Sequence, residues 1–287
     1  MKQQTATIFQ QDAKILEHEK FPENQHVIKL EVKNIANTAR PGSFVHIKCG
    51  GEFSLRRPIS IMRVNKVEGA VEILFKVVGK GTKYLAQTKV GDVLNLLGPI
   101  GNPFVLVSQR PYGLLIGGGV GMPPMVFLAQ ELKKTGQNPV AIFGSEVPFP
   151  FNRAESKLPI DNIPDTMNSG MTFLENLGIP SRCASLQDYS GVHKGYVTDL
   201  ARLWLGGLKP SKLTQVAIYA CGPTVMLKAA HQLAQEYSLP CQVSLEEYMA
   251  CGVGGCAGCV VKVTKNGKSN MRRVCVDGPV FESIEVF

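Results

Sequence analysis

The sequence predicts a multidomain chain of combined β and α/β class: an antiparallel β-barrel, then a parallel α/β domain, then a small cysteine-bearing module. Three observations carry this. Short β-branched runs separated by Gly, Pro or Asn fill the first third, as in antiparallel strands joined by tight turns. Strands then alternate with helical stretches, which builds a parallel sheet through right-handed crossovers. Four of the eight cysteines fall within the last 37 residues.

The length of 287 residues suits two domains and an appendage. With 44% hydrophobic and 19% charged residues, the composition is that of a globular protein. No charged leader precedes an apolar run and no run is long enough to span a bilayer, so a cytoplasmic protein without a membrane segment is expected. The net charge of +8 comes from scattered residues. That argues against nucleic acid and suits anionic cofactors or an acidic partner.

In residues 1–109 the runs HVIKLEVKN, SFVHIKC, PISIMRV, AVEILFKVV and DVLNLLGPI read as barrel strands. Arg57, Pro58, Ile59 and Ser60 open one of them and resemble the R-x-x-S motif of the ferredoxin reductase superfamily. A guanidinium suits a diphosphate, and a hydroxyl can bond a flavin ring. In LFKVVGKGTKYLA, Gly79, Gly81 and Thr82 form a loop able to hold phosphate. An exposed arginine and an ordinary glycine turn are the competing readings. Together the two motifs point to an FAD-binding barrel.

Residues 110–240 carry the alternating pattern. The strand GLLI runs into Gly117, Gly118, Gly119, Val120 and Gly121, then into the helix PMVFLAQELKK. A glycine loop between strand and helix N-terminus is the context that phosphate binding needs. After the strand QVAIYA come Cys221, Gly222 and Pro223, like the superfamily's CGP motif, whose cysteine lies beside the nicotinamide; a buried core thiol is the alternative for Cys221 taken alone. Glu146, after the strand PVAIF, can accept from an adenosine ribose and repels a 2′-phosphate, favouring NAD over NADP. The region therefore reads as an NAD-binding domain, with a long irregular insertion near 147–190. Five prolines lie between Glu146 and Ser190, and no role is assigned to the segment.

Residues 241–287 hold CGVGGCAGC, that is C-x4-C-x2-C, with Cys275 following after fifteen residues. Cys251, Cys256, Cys259 and Cys275 match plant-type [2Fe–2S] spacing. The interspersed glycines let backbone amides approach the sulfurs. A zinc knuckle would favour two C-x2-C pairs, and a redox pair would leave Cys251 and Cys275 without a role.

In order, these modules resemble the electron transfer subunit family of NAD-dependent dihydroorotate dehydrogenase B. The resemblance rests on LRRPISI, VVGKGTKYL, IGGGVGMPPM, ACGPTVML, EEYMACGVGGCAGC and RRVCVDGPVF. It implies FAD, a [2Fe–2S] cluster and NAD, and a role in pyrimidine biosynthesis. It also implies flavin contacts from Arg57 to Ser60, from Leu74, Phe75 and Lys76, and from Gly81 and Thr82. Cys221 and Ser60 become the residues at the reacting rings, and the four cysteines the cluster ligands. The 146–190 segment is longer than the short connection expected of that family. The implied reaction is a relay, hydride passing between nicotinamide and flavin and single electrons between flavin and cluster.

A dihydroorotate-oxidising barrel needs about 250 residues by itself. The chain is therefore expected to act as a subunit, and the resemblance implies an FMN-containing catalytic partner in a heterotetramer. Two other readings remain: a reductase subunit serving ferredoxin, sulfite reductase or hydrogenase, and a scaffold that has lost its cofactors.

Overall fold

A computed structural model describes residues 8–50 and 54–287; the first seven residues of the 1–109 segment lie outside it. Six strands, β1 (Phe9–Phe21), β2 (Gln25–Glu31), β3 (Phe44–Ile47), β4 (Arg57–Asn65), β5 (Ala70–Lys76) and β6 (Val93–Ile100), close an antiparallel barrel in the order β1-β2-β5-β4-β3-β6. Two short helices accompany them, α1 (Lys33–Thr38) and α2 (Lys80–Gln87). The period of two decides which side chains fill the barrel. On β3, Val45 and Ile47 point inward, while Phe44 packs outward among residues of the cysteine module.

Next come β7 (Tyr112–Gly118), α3 (Met122–Lys134), β8 (Asn138–Gly144), β9 (Arg153–Glu155), β10 (Ser169–Met171), α4 (Thr172–Asn176), β11 (Ser181–Ser185) and β12 (His193–Lys194). They are followed by α5 (Val197–Gly206), α6 (Pro210–Leu213), β13 (Val216–Cys221), α7 (Thr224–Glu236) and β14 (Cys241–Ser244). The last elements are the hairpin β15 (Val260–Lys265) and β16 (Lys268–Arg273), then β17 (Val280–Glu282) and α8 (Ser283–Val286).

A seven-stranded sheet runs β12-β11-β8-β7-β13-β14-β17, parallel except for β17. Strands β7, β8 and β13 are buried on both faces. Leu114, Ile116, Ile142, Ile218 and Ala220 meet α5 and α7 on one side. Leu115, Ala141, Phe143, Ala217, Tyr219 and Cys221 meet α3 on the other, together with Val27, Met62 and Leu74 of the barrel wall. The barrel thus serves as part of the sheet's second covering layer. The chain from β7 goes to β8 on one side and later returns to β13 on the other, so the strand order reverses between β7 and β13. The crevice outside the strand C-termini at such a reversal is where open α/β sheets bind ligands.

Several elements depart from the sequence expectation. Strand β1 lies outside the expected runs: its burial alternates, but only Ala13 and Ile15 of its thirteen residues are fully buried. The 147–190 segment is not one irregular loop. It supplies β11, paired in parallel with β8, and the small β9–β10 sheet. It also braces the barrel, since Gln25 Nε2 donates to the Pro148 carbonyl at 2.7 Å and the Arg63 guanidinium lies 4.3 Å from the Phe173 ring centre. Within 241–287, β14 and β17 pair into the large sheet, and the thiol loop and hairpin lie between them.

Trp204 is 1% exposed at the centre of the α5 face. Its replacement by alanine should destabilise the protein by about 3–5 kcal/mol. Urea unfolding followed by circular dichroism reads this directly, and a loss below about 1 kcal/mol would contradict the packing described.

Candidate functional site

The reversal between β7 and β13 brings together two loops far apart in sequence. Strand β7 ends at Gly118, and a single tight turn, Gly119–Gly121, leads into α3. Register pairs Gly117 with Cys221 and Cys221 with Ser244. Gly121 lies against the turn after β13, where a Cβ would overlap the Cys221 carbonyl. Glycine is therefore required for the two loops to meet. Nothing lies within 4 Å of a Cβ position on Gly119, which leaves that part of the loop open to a ligand.

Cys221 points to the α3 side of the sheet, the side that carries the barrel. It is 8% exposed. Burial pushes its thiol up to about 12, against a hydrogen bond from Ser244 that acts the other way and a Glu246 carboxylate that adds to the rise. A thiol held that high stays protonated near neutral pH. Burial, with Glu247 beside it, also raises the Glu246 carboxyl above its ordinary range. Gly222 and Pro223 form the turn into α7, with Pro223 at its N-cap. Glu146 is exposed in the turn that follows β8.

On the barrel, Arg57 begins β4 and its guanidinium lies over Gly81, where a Cβ would stand 2.5 Å from Nε. Gly81 is in the first turn of α2, and Thr82 Oγ1 accepts from the Val78 and Gly79 amides at 3.0 and 3.2 Å. One guanidinium and the first turn of α2 thus lie side by side, with Arg57 Nη1 also donating to the Leu55 and Arg56 carbonyls at 2.8 and 3.2 Å. Pro58, Ile59 and Ser60 continue along β4; Ile59 faces the barrel core, and Ser60 is half-buried opposite Phe44. Leu74 packs between barrel and sheet and Lys76 is half-buried, but the Phe75 ring lies inside the barrel, stacked on His26 at 5.2 Å. Any outward contact by Phe75 runs through its main chain.

The four cysteines of the last module form two close pairs, Cys251 with Cys256 and Cys259 with Cys275. Cys259 and Cys275 Sγ are 3.3 Å apart, too far for a disulfide of about 2.05 Å. The Cys256 amide points at Cys251 Sγ at 3.4 Å, the Gly258 amide at Cys256 Sγ at 3.4 Å, and the Cys275 amide at Cys259 Sγ at 3.5 Å. Burial alone would raise the Cys251 thiol, yet amides of Cys256, Val253 and Gly255 and the Cys256 thiol hold it down to about 7. Cys275 is pushed up to about 12 by burial and by the neighbouring Cys259. Among the described residues no three His, Cys, Asp or Glu side chains converge as a ready single-ion site. Thiols in one glycine-rich loop with amides aimed at sulfur fit the donor set of an iron–sulfur cluster.

The cysteine module packs on the barrel. Cys259 and Cys275 share an apolar cluster with Phe44 and Ile100. His46, beside them on β3, is fully buried, and desolvation, reinforced by Arg56, lowers its ring to about 4. His46 and Ser244 sit in no motif, and Glu246 only opens the EEYMACGVGGCAGC block. Only the strand register, which the sequence does not display, brings them to these sites.

No helix of the described residues is long and apolar enough to cross a membrane. The family model for an oxidoreductase FAD-binding domain matches residues 12–104, and that for the iron–sulfur cluster binding domain of dihydroorotate dehydrogenase B matches residues 246–287. The chain is 34% identical to the dihydroorotate dehydrogenase B (NAD(+)), electron transfer subunit of Desulforamulus reducens, over 96% of this chain and 97% of that one. It is 32% identical to the protein of the same name from Fusobacterium nucleatum, over 96% and 98%. Among solved structures it resembles the NADH-dependent reduced ferredoxin–NADP oxidoreductase, with a TM-score of 0.78 and 28% identity, over 96% of this chain and 89% of that one. The ferredoxin reductase of carbazole 1,9a-dioxygenase, at 20% identity and a TM-score of 0.64, shares the fold. A closed six-stranded barrel, a glycine loop at the sheet's reversal and a module with four cysteines thus occur here in one order with one set of relatives: the chain belongs to the family of dihydroorotate dehydrogenase B (NAD(+)) electron transfer subunits.

Proposed function

We propose that this chain carries electrons between NAD and the FMN-bearing catalytic subunit of a dihydroorotate dehydrogenase, through FAD and a [2Fe–2S] cluster, in pyrimidine synthesis in the cytoplasm. One observation supports this above the rest. The barrel wall packs at Val27, Met62 and Leu74 with Met122 and Cys221, which adjoin the glycine turn and the β13 loop, and elsewhere at Phe44 and Ile100 with the cysteine module. A flavin held on the barrel is then the natural middle station of a relay. In this reading the three modules are 1–109, 110–240 and 241–287, and the partner joins in a heterotetramer.

Bound flavin supplies the exchange between two-electron hydride chemistry and one-electron transfer. Arg57, with the first turn of α2 at Gly81 and Thr82, holds its diphosphate, and Ser60 orients its ring. Leu74, Phe75 and Lys76 line the strand beside it. Gly117, Gly118, Gly119 and Gly121 receive the dinucleotide's pyrophosphate, and Gly222 and Pro223 shape the far wall. The buried neutral Cys221 fills the space beside the nicotinamide without attacking it, and Glu146 favours a free ribose hydroxyl. Cys251, Cys256, Cys259 and Cys275 bind the two irons.

The structural likeness to a ferredoxin–NADP oxidoreductase supports a second reading, in which ferredoxin is the acceptor. An anaerobic pull-down separates the two. The recovered complex should contain an FMN subunit and show dihydroorotate–NAD+ activity; diaphorase activity without it would leave only the general reductase reading.

Two further outcomes are expected. Arg57→Ala should weaken FAD binding roughly tenfold or more, since a charge-assisted pair to phosphate is lost; unchanged flavin retention on dilution would remove Arg57 from the site. Burial also pushes Cys183 and Cys241 up to about 12. With Cys221 they should stay neutral in the folded protein and resist iodoacetamide up to about pH 9, reacting only on unfolding. Mass spectrometry of tryptic peptides checks this, and labelling of Cys221 at pH 8 would refute its burial.

A further inference from the structure

His46 is fully buried, and neither of its ring nitrogens makes a hydrogen bond of full geometry. It is the one described side chain with two such orphaned atoms. An imidazole in that position needs an acceptor for its N–H. Its charged neighbours, Arg56 and Arg57, can only donate, and Arg56 Nη1 already gives its bonds to the His46 and Asn95 carbonyls at 3.2 and 2.9 Å. The acceptors that face the ring are the main-chain carbonyls of Met249 and Cys251.

The loop is built to bring them there. Gly252 has φ +69°, and a Cβ on it would lie 2.7 Å from His46 Nδ1. A side chain at 252 would be both strained and in collision with the ring. On the other side, His46 pairs across the sheet with Pro58, next to Arg57. His46 thus stands between the strand assigned to the flavin phosphates and the loop that begins the thiol set.

We infer that His46 is a positioning residue for the cysteine loop: an imidazole N–H of His46 donates to a main-chain carbonyl of the Met249–Cys251 stretch and fixes that loop on barrel strand β3. The inference rests on reading the four cysteines as cluster ligands. Fixing the loop to the strand that neighbours Arg57 also fixes the separation between the two redox groups.

The test uses the cluster-loaded, flavin-loaded protein, with His46→Leu, His46→Asn and Gly252→Ala. The readouts are the electron paramagnetic resonance spectrum after dithionite reduction, the rate of iron release to a chelator, and flavin content. His46→Leu should alter the spectrum and speed iron release roughly tenfold, as loss of an outer hydrogen bond does at metal sites, with flavin content unchanged. His46→Asn, which keeps a donor amide, should recover most of that loss. A leucine variant with the parent's spectrum and release rate overturns the inference, as does an asparagine variant no better than leucine.

If the leucine variant does not fold, Gly252→Ala decides. It should speed release in the parent and have a smaller effect where His46→Ala has vacated the space; equal effects in both overturn the contact. A parent protein that never takes up a cluster overturns the ligand reading itself, which separates that failure from this one.

Discussion

The barrel wall does two jobs at once, and the arrangement of the other parts follows from it. A closed six-stranded barrel has a filled interior and an outer surface that solvent could cover. Here Val27, Met62 and Leu74 instead bury against the α3 side of the sheet. Elsewhere on that surface, Phe44 and Ile100 bury against Cys259 and Cys275. Burial of this kind contributes about 25 cal/mol per Å² of apolar surface and has no directional preference. Orientation comes from the polar contacts laid over it: Gln25 to Pro148, Asn102 to the Val276 and Asp277 carbonyls, and Val105 to Gln242.

Environment sorts eight chemically identical thiols into separate roles. Cys49, Cys183, Cys221 and Cys241 are buried, with pKa values pushed up by desolvation to about 11 or 12. Each behaves as a small apolar group. In the last module the amides of a glycine-rich loop turn toward sulfur, and there Cys251 is drawn down to about 7. Cys275 of the same module, buried beside Cys259, is pushed up to about 12, so burial and main-chain amides set each thiol separately.

The parts legible in the sequence were those where chemistry is contiguous. The cysteine loop, the glycine turn after β7 and the R-x-x-S strand each declare themselves within ten residues or so. Strands β7, β8 and β13 and helices α3, α5 and α7 are readable from periodicity because both sheet faces are covered by helices or barrel. Other features depend on distant partners. Strand β1 is polar along most of its length and is held by pairing with β2 and β6. Strand β11 hides among prolines, and β14 and β17 are too short to show a period. His46 looks like any histidine in a strand until the register sets it against Gly252, and Glu246 gains its surroundings only once β14 pairs with β13.

Strand β17 has a consequence for how the folded molecule stays out of trouble. A parallel sheet ending at β14 would present a row of free amides and carbonyls, an invitation to pair with another chain. Residues Val280–Glu282 cover that row in the antiparallel sense, and the chain reaches them only after passing through the thiol loop and its hairpin. The thiol loop and its hairpin are thus anchored at both ends in the same sheet, by β14 before them and β17 after them, and the strand that follows the cysteines is the one that covers the sheet margin.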